Sequence, residues 1–281
     1  MRVLFLVLAF FVSGVVWAGW PQPKRGGYFK LGQNGIISDA FYSPSGDITT
    51  IRTNSIFTTS LYGEYGITDR FTAIGYIPLF VRSTLAEVRF RQSGRVEPSE
   101  QLNAIGDADV GFKYGLLVNK PVVISASILL GLPLGETSGG ASGILQTGDG
   151  EFNQQLRVDV SHSFYPRPFY ASAYVGVNNR TRGFSDEVRW GAEFGYTSPK
   201  IIALAKLNVV ESLFNGSDAV ASNGVFSNNT EYVSPTLEVA YLFNESFGLS
   251  VSAGYAFSGR NILASPNYGV GVFYKLMPPG R

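Results

Sequence analysis

Apolar and polar residues alternate at period two from about Tyr28 to Leu276. The clearest run is Asp107-Ala-Asp-Val-Gly-Phe-Lys-Tyr-Gly-Leu116. There Ala108, Val110, Phe112, Tyr114 and Leu116 share one side of a strand, and Asp107, Asp109, Gly111, Lys113 and Gly115 share the other, because successive strand residues point to opposite faces. One side suits hydrocarbon and the other suits water. The same pattern predicts strands near 27–38, 55–66, 71–82, 104–117, 122–133, 151–164, 169–179, 186–197, 201–213, 230–243, 247–258 and 267–276.

The connections between these runs keep a rhythm. After even-numbered strands they are tight and carry turn chemistry: Thr68-Asp69, Val118-Asn-Lys120, Tyr165-Pro-Arg-Pro168, Ser198-Pro199 and Asn244-Glu245. After odd-numbered strands they are longer and rich in Gly, Ser and Asn, as in 135–143 and 215–224. Short periplasmic turns and long external loops are the asymmetry of an outer-membrane barrel with both termini in the periplasm. The expected fold is therefore all-β, a transmembrane antiparallel up-and-down β-barrel of about twelve strands. Aromatics gather beside the tight turns at Tyr65, Phe71, Phe164, Phe169, Tyr196, Tyr241, Phe243 and Phe247, where a periplasmic girdle would lie.

A soluble barrel or sandwich would show the same alternation with its apolar side inward, burying Val188, Trp190, Ala192 and Phe194 or Ala253, Tyr255 and Phe257. A closed barrel of about twelve strands is too wide for one layer of side chains to fill. The opposite faces hold small residues such as Ser250, Ser252, Gly254 and Ala256, with charges of both signs, which suits a wet lumen. On this reading Val110 and Phe112 face lipid, while Asp109 and Lys113 face inward.

Residues 1–18 carry one positive charge, an apolar core and small residues before the end, with Val16 and Ala18 in the positions a leader peptidase reads. The apolar run is shorter than the ~20 residues of a spanning helix. The expected organisation is a signal peptide over 1–18, a short periplasmic segment over 19–26, the barrel over 27–276 and a tail over 277–281. With no Cys and a single His, neither a disulfide framework nor a His/Cys metal site can be built. A net charge of +1 without basic clusters gives no footprint for nucleic acid. No cofactor is expected.

Several short patches resemble the outer-membrane proteins grouped as the "meta-pathway of phenol degradation" family of transporters. They are Tyr65-Gly-Ile-Thr-Asp-Arg70, Ile105-Gly-Asp-Ala-Asp-Val-Gly-Phe-Lys-Tyr114, and Leu132-Pro-Leu-Gly135 followed by Leu145-Gln-Thr-Gly148. The resemblance implies a porin-like role or the transport of small apolar solutes. The last strand, with Gly271, Tyr274 and Leu276, also resembles the signal read by barrel-assembly machinery, while the tail Met277-Pro-Pro-Gly-Arg281 departs from the usual terminal aromatic.

His162 invites comparison with the outer-membrane phospholipase A class, which needs a Ser two residues after the His on the same lipid-facing side. Phe164 occupies that position, and Ser161 and Ser163 point to the other face. Gly148-Asp-Gly-Glu151 and the Gly135–Gly143 stretch follow no strand that enters a helix and have no P-loop Lys, so they read as external loops. No catalytic residue is expected.

The inward faces bring Lys30, Glu64, Asp107, Asp109, Lys113, Arg157, Asp159, Arg189, Glu193, Lys206, Glu238 and Lys275 into one enclosure, with Tyr62, Tyr170, Tyr174 and Tyr232 as amphipathic walls. Buried charges must be paired or wet. Two readings stay open: a salt-bridge network that closes the barrel, and a narrow charge-lined passage. The favoured reading is a passive channel for small amphipathic or apolar solutes. The alternative is a closed structural or partner-binding barrel, and a lipid-acting enzyme stands third. The expected partners are outer-membrane lipid, the assembly machinery and small solutes.

Overall fold

A computed structural model describes residues 19–220 and 225–278; the leader segment 1–18 and residues 279–281 of the expected tail lie outside them. Twelve long strands follow one another: β1 (Gly27–Tyr42), β2 (Ile48–Gly66), β3 (Phe71–Leu85), β4 (Ala108–Leu117), β5 (Val122–Leu132), β6 (Asn153–Ser163), β7 (Phe169–Arg180), β8 (Glu187–Thr197), β9 (Ile201–Ser212), β10 (Glu231–Leu242), β11 (Phe247–Gly254) and β12 (Asn267–Leu276). Each pairs antiparallel with its successor. β12 returns to β1, with Gly27 opposite Leu276 and Ile36 opposite Asn267. The sheet is closed, so no ladder edge is left to meet hydrocarbon.

Two elements differ from the sequence expectation. β1 and β2 continue beyond 38 and begin before 55, so their connection is a turn over 43–47 rather than a long loop. After a bulge between Ser38 and Ala40 the ladder resumes with Tyr42 opposite Ile48. The turn closes through Ser43 and Asp47 with Gly46 at φ 89, a conformation glycine adopts without a Cβ clash. The β-branched residues of Ile48-Thr-Thr-Ile51 hold an extended strand although the stretch is polar. β11, by contrast, stops at Gly254 instead of 258. Pro235 on β10 has no N–H to donate. The β10–β11 ladder ends at Thr236 opposite Gly254 and resumes one residue out of step at Val233 opposite Ser258.

The alternation resolves into two faces. Along β4, Val110, Phe112, Tyr114 and Leu116 are exposed on the outside while Lys113 is fully buried within. The outer belt continues through Leu156, Val158, Val160, Val175, Val177, Leu237, Val239, Val251, Val270 and Val272. At the end of the tight turns, Phe71 stacks on Phe112 and Phe169 on Phe194, and Phe247 packs at a tilt against Tyr274, with ring centroids 5.1, 5.6 and 4.7 Å apart. An apolar band closed by an aromatic girdle is the surface of a protein seated in a bilayer.

Candidate functional site: the barrel lumen

The inward faces meet in two chambers. The periplasmic one has a volume of about 370 Å³ and is bounded by Lys30, Lys206 and Lys275, by Glu64, Glu193 and Glu238, and by Trp20, Tyr28, Tyr62, Tyr76, Tyr170 and Phe273. The external one, about 460 Å³, meets Arg180, Arg189, Asp149, Glu187 and Tyr232, with Val225 and Phe226 against it. Asn34 and Tyr76 belong to the walls of both.

Charges in the periplasmic chamber are paired across strands. Glu238 accepts from Lys30 and, at 2.8 Å, from Lys206, whose Nζ also stands 3.9 Å from Glu193. Lys113 reaches Glu64 at 3.3 Å, and the Tyr62 hydroxyl donates to the same carboxylate at 2.6 Å. Tyr170 donates to Glu193. Beside this chamber, Arg157 holds Asp159 of its own strand through Nε at 2.9 Å and through Nη2, and lies over the Tyr174 ring. With Glu64, Glu193 and Glu238 set against Lys30, Lys206 and Lys275, the chamber wall carries no strong field of either sign. The Lys275 ammonium stands 5.8 Å from the Phe273 ring.

The first residues of the barrel domain's leading segment complete this chamber from below. Trp20 packs edge-on against Tyr170 at 5.3 Å, and the Gln22 side chain donates to Glu64 at 2.7 Å. The Gln22 backbone donates to Thr72, Lys24 to Asp69, and Arg25 to the Gly66 carbonyl at 2.7 Å. Gly66 accommodates this close approach: a Cβ there would fall 2.0 Å from the Pro23 carbonyl oxygen. Residues 19–22 therefore stand inside the mouth, and 23–26 are stitched to the β2–β3 turn.

At the external end, Arg180 gathers Asp149, Glu151 and Glu187 at 2.8, 2.8 and 2.9 Å, and Arg189 takes the other oxygen of Glu187 at 2.6 Å. Asp109 lies within electrostatic reach of Arg189 and Asp149. Asp107 stands one residue before β4 and does other work: its carboxylate accepts the backbone N–H groups of Gly135 and Asp149, both at 2.8 Å, and so ties the 133–152 loop down. Burial there pushes its pKa up to about 6 in spite of those two hydrogen bonds. Asp186 shows the opposite balance. The Arg180 backbone N–H, with the Asn215 and Asn179 amides, holds its carboxyl below the usual carboxylate range.

Of the sixteen inward residues expected from the sequence, the geometry joins Lys30, Tyr62, Glu64, Lys113, Tyr170, Glu193, Lys206, Glu238 and Lys275 around the periplasmic chamber, and Asp107 is taken up by the loop above it. Arg157, Asp159 and Tyr174 form a separate cluster, and Asp109, Arg189 and Tyr232 stand at the external one. The sequence reading missed Trp20, Gln22, Tyr28, Tyr76, Arg180 and Glu187. The period-two parity with Lys30 and Tyr62 marks Tyr28 and Tyr76 as inward, but nothing in Gly19-Trp-Pro-Gln22 announces a segment that enters a barrel. His162 is half-buried, 2.9 Å from the Pro121 carbonyl and edge-on to Phe164 at 4.7 Å, while Ser161 points into the lumen.

The closed sheet, the apolar belt and the polar interior define an outer-membrane β-barrel. Solved structures of the same architecture include the COG4313 outer membrane channel from Pseudomonas putida F1, at 13% identity and TM-score 0.57 over 94% of this chain and 99% of that one. The NanC porin aligns at 12% identity and TM-score 0.53, over 88% of this chain and all of that one. The beta domain of the Bordetella autotransporter BrkA aligns at 13% identity and TM-score 0.50, over 89% and 99%. At these identities the likeness is one of fold. No family model matches the chain, and no curated protein matches it.

Proposed function

We propose that this protein is a passive outer-membrane channel for small amphipathic or apolar solutes. The observation that carries the reading is the pair of stacked chambers sharing Asn34 and Tyr76, each lined by both aromatic rings and paired charges. A barrel whose ion pairs only cross-braced its wall would have no need of hundreds of Å³ between them, or of rings turned toward that space. Tyrosine rings offer flat apolar contact with a polar handle, which suits aromatic solutes bearing one or two polar groups. A COG4313 outer membrane channel and a porin among the structures of the same architecture are in keeping with this reading, as is the resemblance to the meta-pathway transporter family. We infer also that the assembly machinery reads β12, whose Tyr274 packs against Phe247 at the girdle.

The second reading, a closed structural barrel, draws on the segment 19–22 in one mouth and on Phe226 over the other. Uptake separates the two. Proteoliposomes carrying the purified barrel should take up small phenolic and benzoic compounds faster than empty liposomes. Tyr76→Ala and Tyr232→Ala should change the rates while leaving the heat-modifiable gel shift of the folded barrel in place. Uptake equal to that of empty liposomes across the whole panel would favour the closed barrel.

A further inference from the structure

Asp159 is fully buried in the lumen wall, and its two oxygens are treated differently. Oδ1 takes the Arg157 guanidinium, whereas Oδ2 has no hydrogen-bond partner among the described residues. A buried carboxylate oxygen left without a donor is a costly arrangement, and such a group marks a place where a donor belongs.

Gly19 lies against the root of the Asp159 side chain. A Cβ built on Gly19 would come 2.8 Å from the Asp159 Cβ and 2.5 Å from Ser161 Oγ, so the backbone approaches the wall as only glycine can. The Gly19 nitrogen donates to Ser161 Oγ at 3.1 Å, and its carbonyl accepts from Ser125 Oγ at 2.7 Å. Ser125 and Ser161 are themselves buried. The floor of the lumen is thus a polar receptor fitted to one residue, and that residue follows the Ala18 at which the leader pattern ends.

We propose that the mature chain begins at Gly19 and that its α-ammonium occupies this receptor as the missing partner of Asp159, latching the segment 19–22 inside the periplasmic mouth. A leader peptidase adds water across the Ala18–Gly19 amide. The hydroxyl goes to the Ala18 carbonyl carbon, which leaves as a carboxylate, and the Gly19 nitrogen takes up protons to become an ammonium. An amide nitrogen has one hydrogen, which Ser161 already accepts. An ammonium has three hydrogens and a unit charge, enough to serve Ser161 and Asp159 together. Processing therefore creates the group that completes the site. This inference does not depend on whether the lumen conducts.

The test is chemical labelling of the α-amine in folded protein extracted from membranes, at neutral pH, where α-amines (ordinary pKa about 7.7–8.0) react ahead of lysines (about 10.4). Intact mass should first give a chain starting at Gly19. Its amine should acylate at least about tenfold more slowly in the folded barrel than after heat unfolding, since pairing with a carboxylate that raises the amine's pKa by one unit removes nine-tenths of the free base. Asp159→Asn should restore rapid labelling with the heat-modifiable gel shift intact. Should that variant fail to assemble, Gly19→Ala, which keeps the carboxylate but pushes a methyl into Ser161 and Asp159, should do the same. A different mature terminus, labelling at the unfolded rate in the native barrel, or slow labelling that neither variant alters would overturn the proposal.

Discussion

The guanidinium carbon of Arg157 stands 3.7 Å from the centre of the Tyr174 ring while the same group holds Asp159 on its own strand. β6 and β7 bring them together: Tyr174 pairs with Asp159 and Gly176 with Arg157, and Gly176 leaves space beside the Arg157 side chain that a Cβ at 3.2 Å from it would occupy. A desolvated cation over a ring contributes about 2 kcal/mol. Tyr174→Ala should therefore lower the unfolding free energy by roughly that amount. Tyr174→Phe, which keeps the ring and loses only the 3.2 Å hydrogen bond to Asn208, should cost much less. Equal losses for the two variants, in urea titrations of the barrel in lipid vesicles, would show that the ring face contributes nothing.

The two faces of β4 make a second prediction. Val110 is exposed on the outer belt, and Asp109 is turned to the external chamber. Val110→Arg should cost about 2–4 kcal/mol if it lies near the bilayer midplane, and Asp109→Asn clearly less. The same unfolding measurement decides it: Asp109→Asn as the worse of the pair would reverse the assignment of faces.

The architecture was legible because strand parity is strict. A single inward residue such as Lys113 fixes the whole of β4, and the alternation of short and long connections fixes which end is which. What the pattern hid follows from local chemistry. The polar upper halves of β1 and β2 read as loop, since β-branched Thr and Ile hold a strand without apolar alternation above the membrane. Pro235 on one strand ended its neighbour at Gly254, a relation between strands that no single-strand pattern contains. The lumen was legible as a set of inward charges but not as partners, because which carboxylate meets which cation depends on register across several strands, as in Glu238 between Lys30 and Lys206. Asp107 has the right parity for the wall, yet it stands where β4 gives way to loop, and backbone N–H groups claim it.

The external loops should respond to acid with opposite signs at two sites. Asp107 has a folded pKa of about 6 against an ordinary 3.8. Its contribution to stability is full below 3.8 and is lost as pH rises through about 6, so the native state binds the extra proton in that window. Asp186 is held below its ordinary value, and its contribution is present above that value and lost as pH falls through the folded pKa. Protection of the 133–152 loop amides, taken as exchange relative to the intrinsic rate at each pH, should rise on acidification from neutral pH toward 4, and Asp107→Asn should abolish that trend. The 181–186 turn should instead loosen only below the ordinary carboxylate range, and not in Asp186→Asn. Identical pH profiles for both loops in both variants would contradict this account.

The central claim is that the lumen is a narrow conduit whose paired charges favour neither ion sign and whose periplasmic mouth is narrowed by Trp20 and Gln22. Conductance across a planar bilayer under a salt gradient tests it most directly. Mixed charge gives little long-range steering, so the account predicts small single-channel steps with a reversal potential near zero, and larger steps in the Trp20→Ala, Gln22→Ala double variant. No steps in either protein, with the barrel shown to be folded by its gel shift, would contradict it, as would large and strongly ion-selective steps in the unaltered chain.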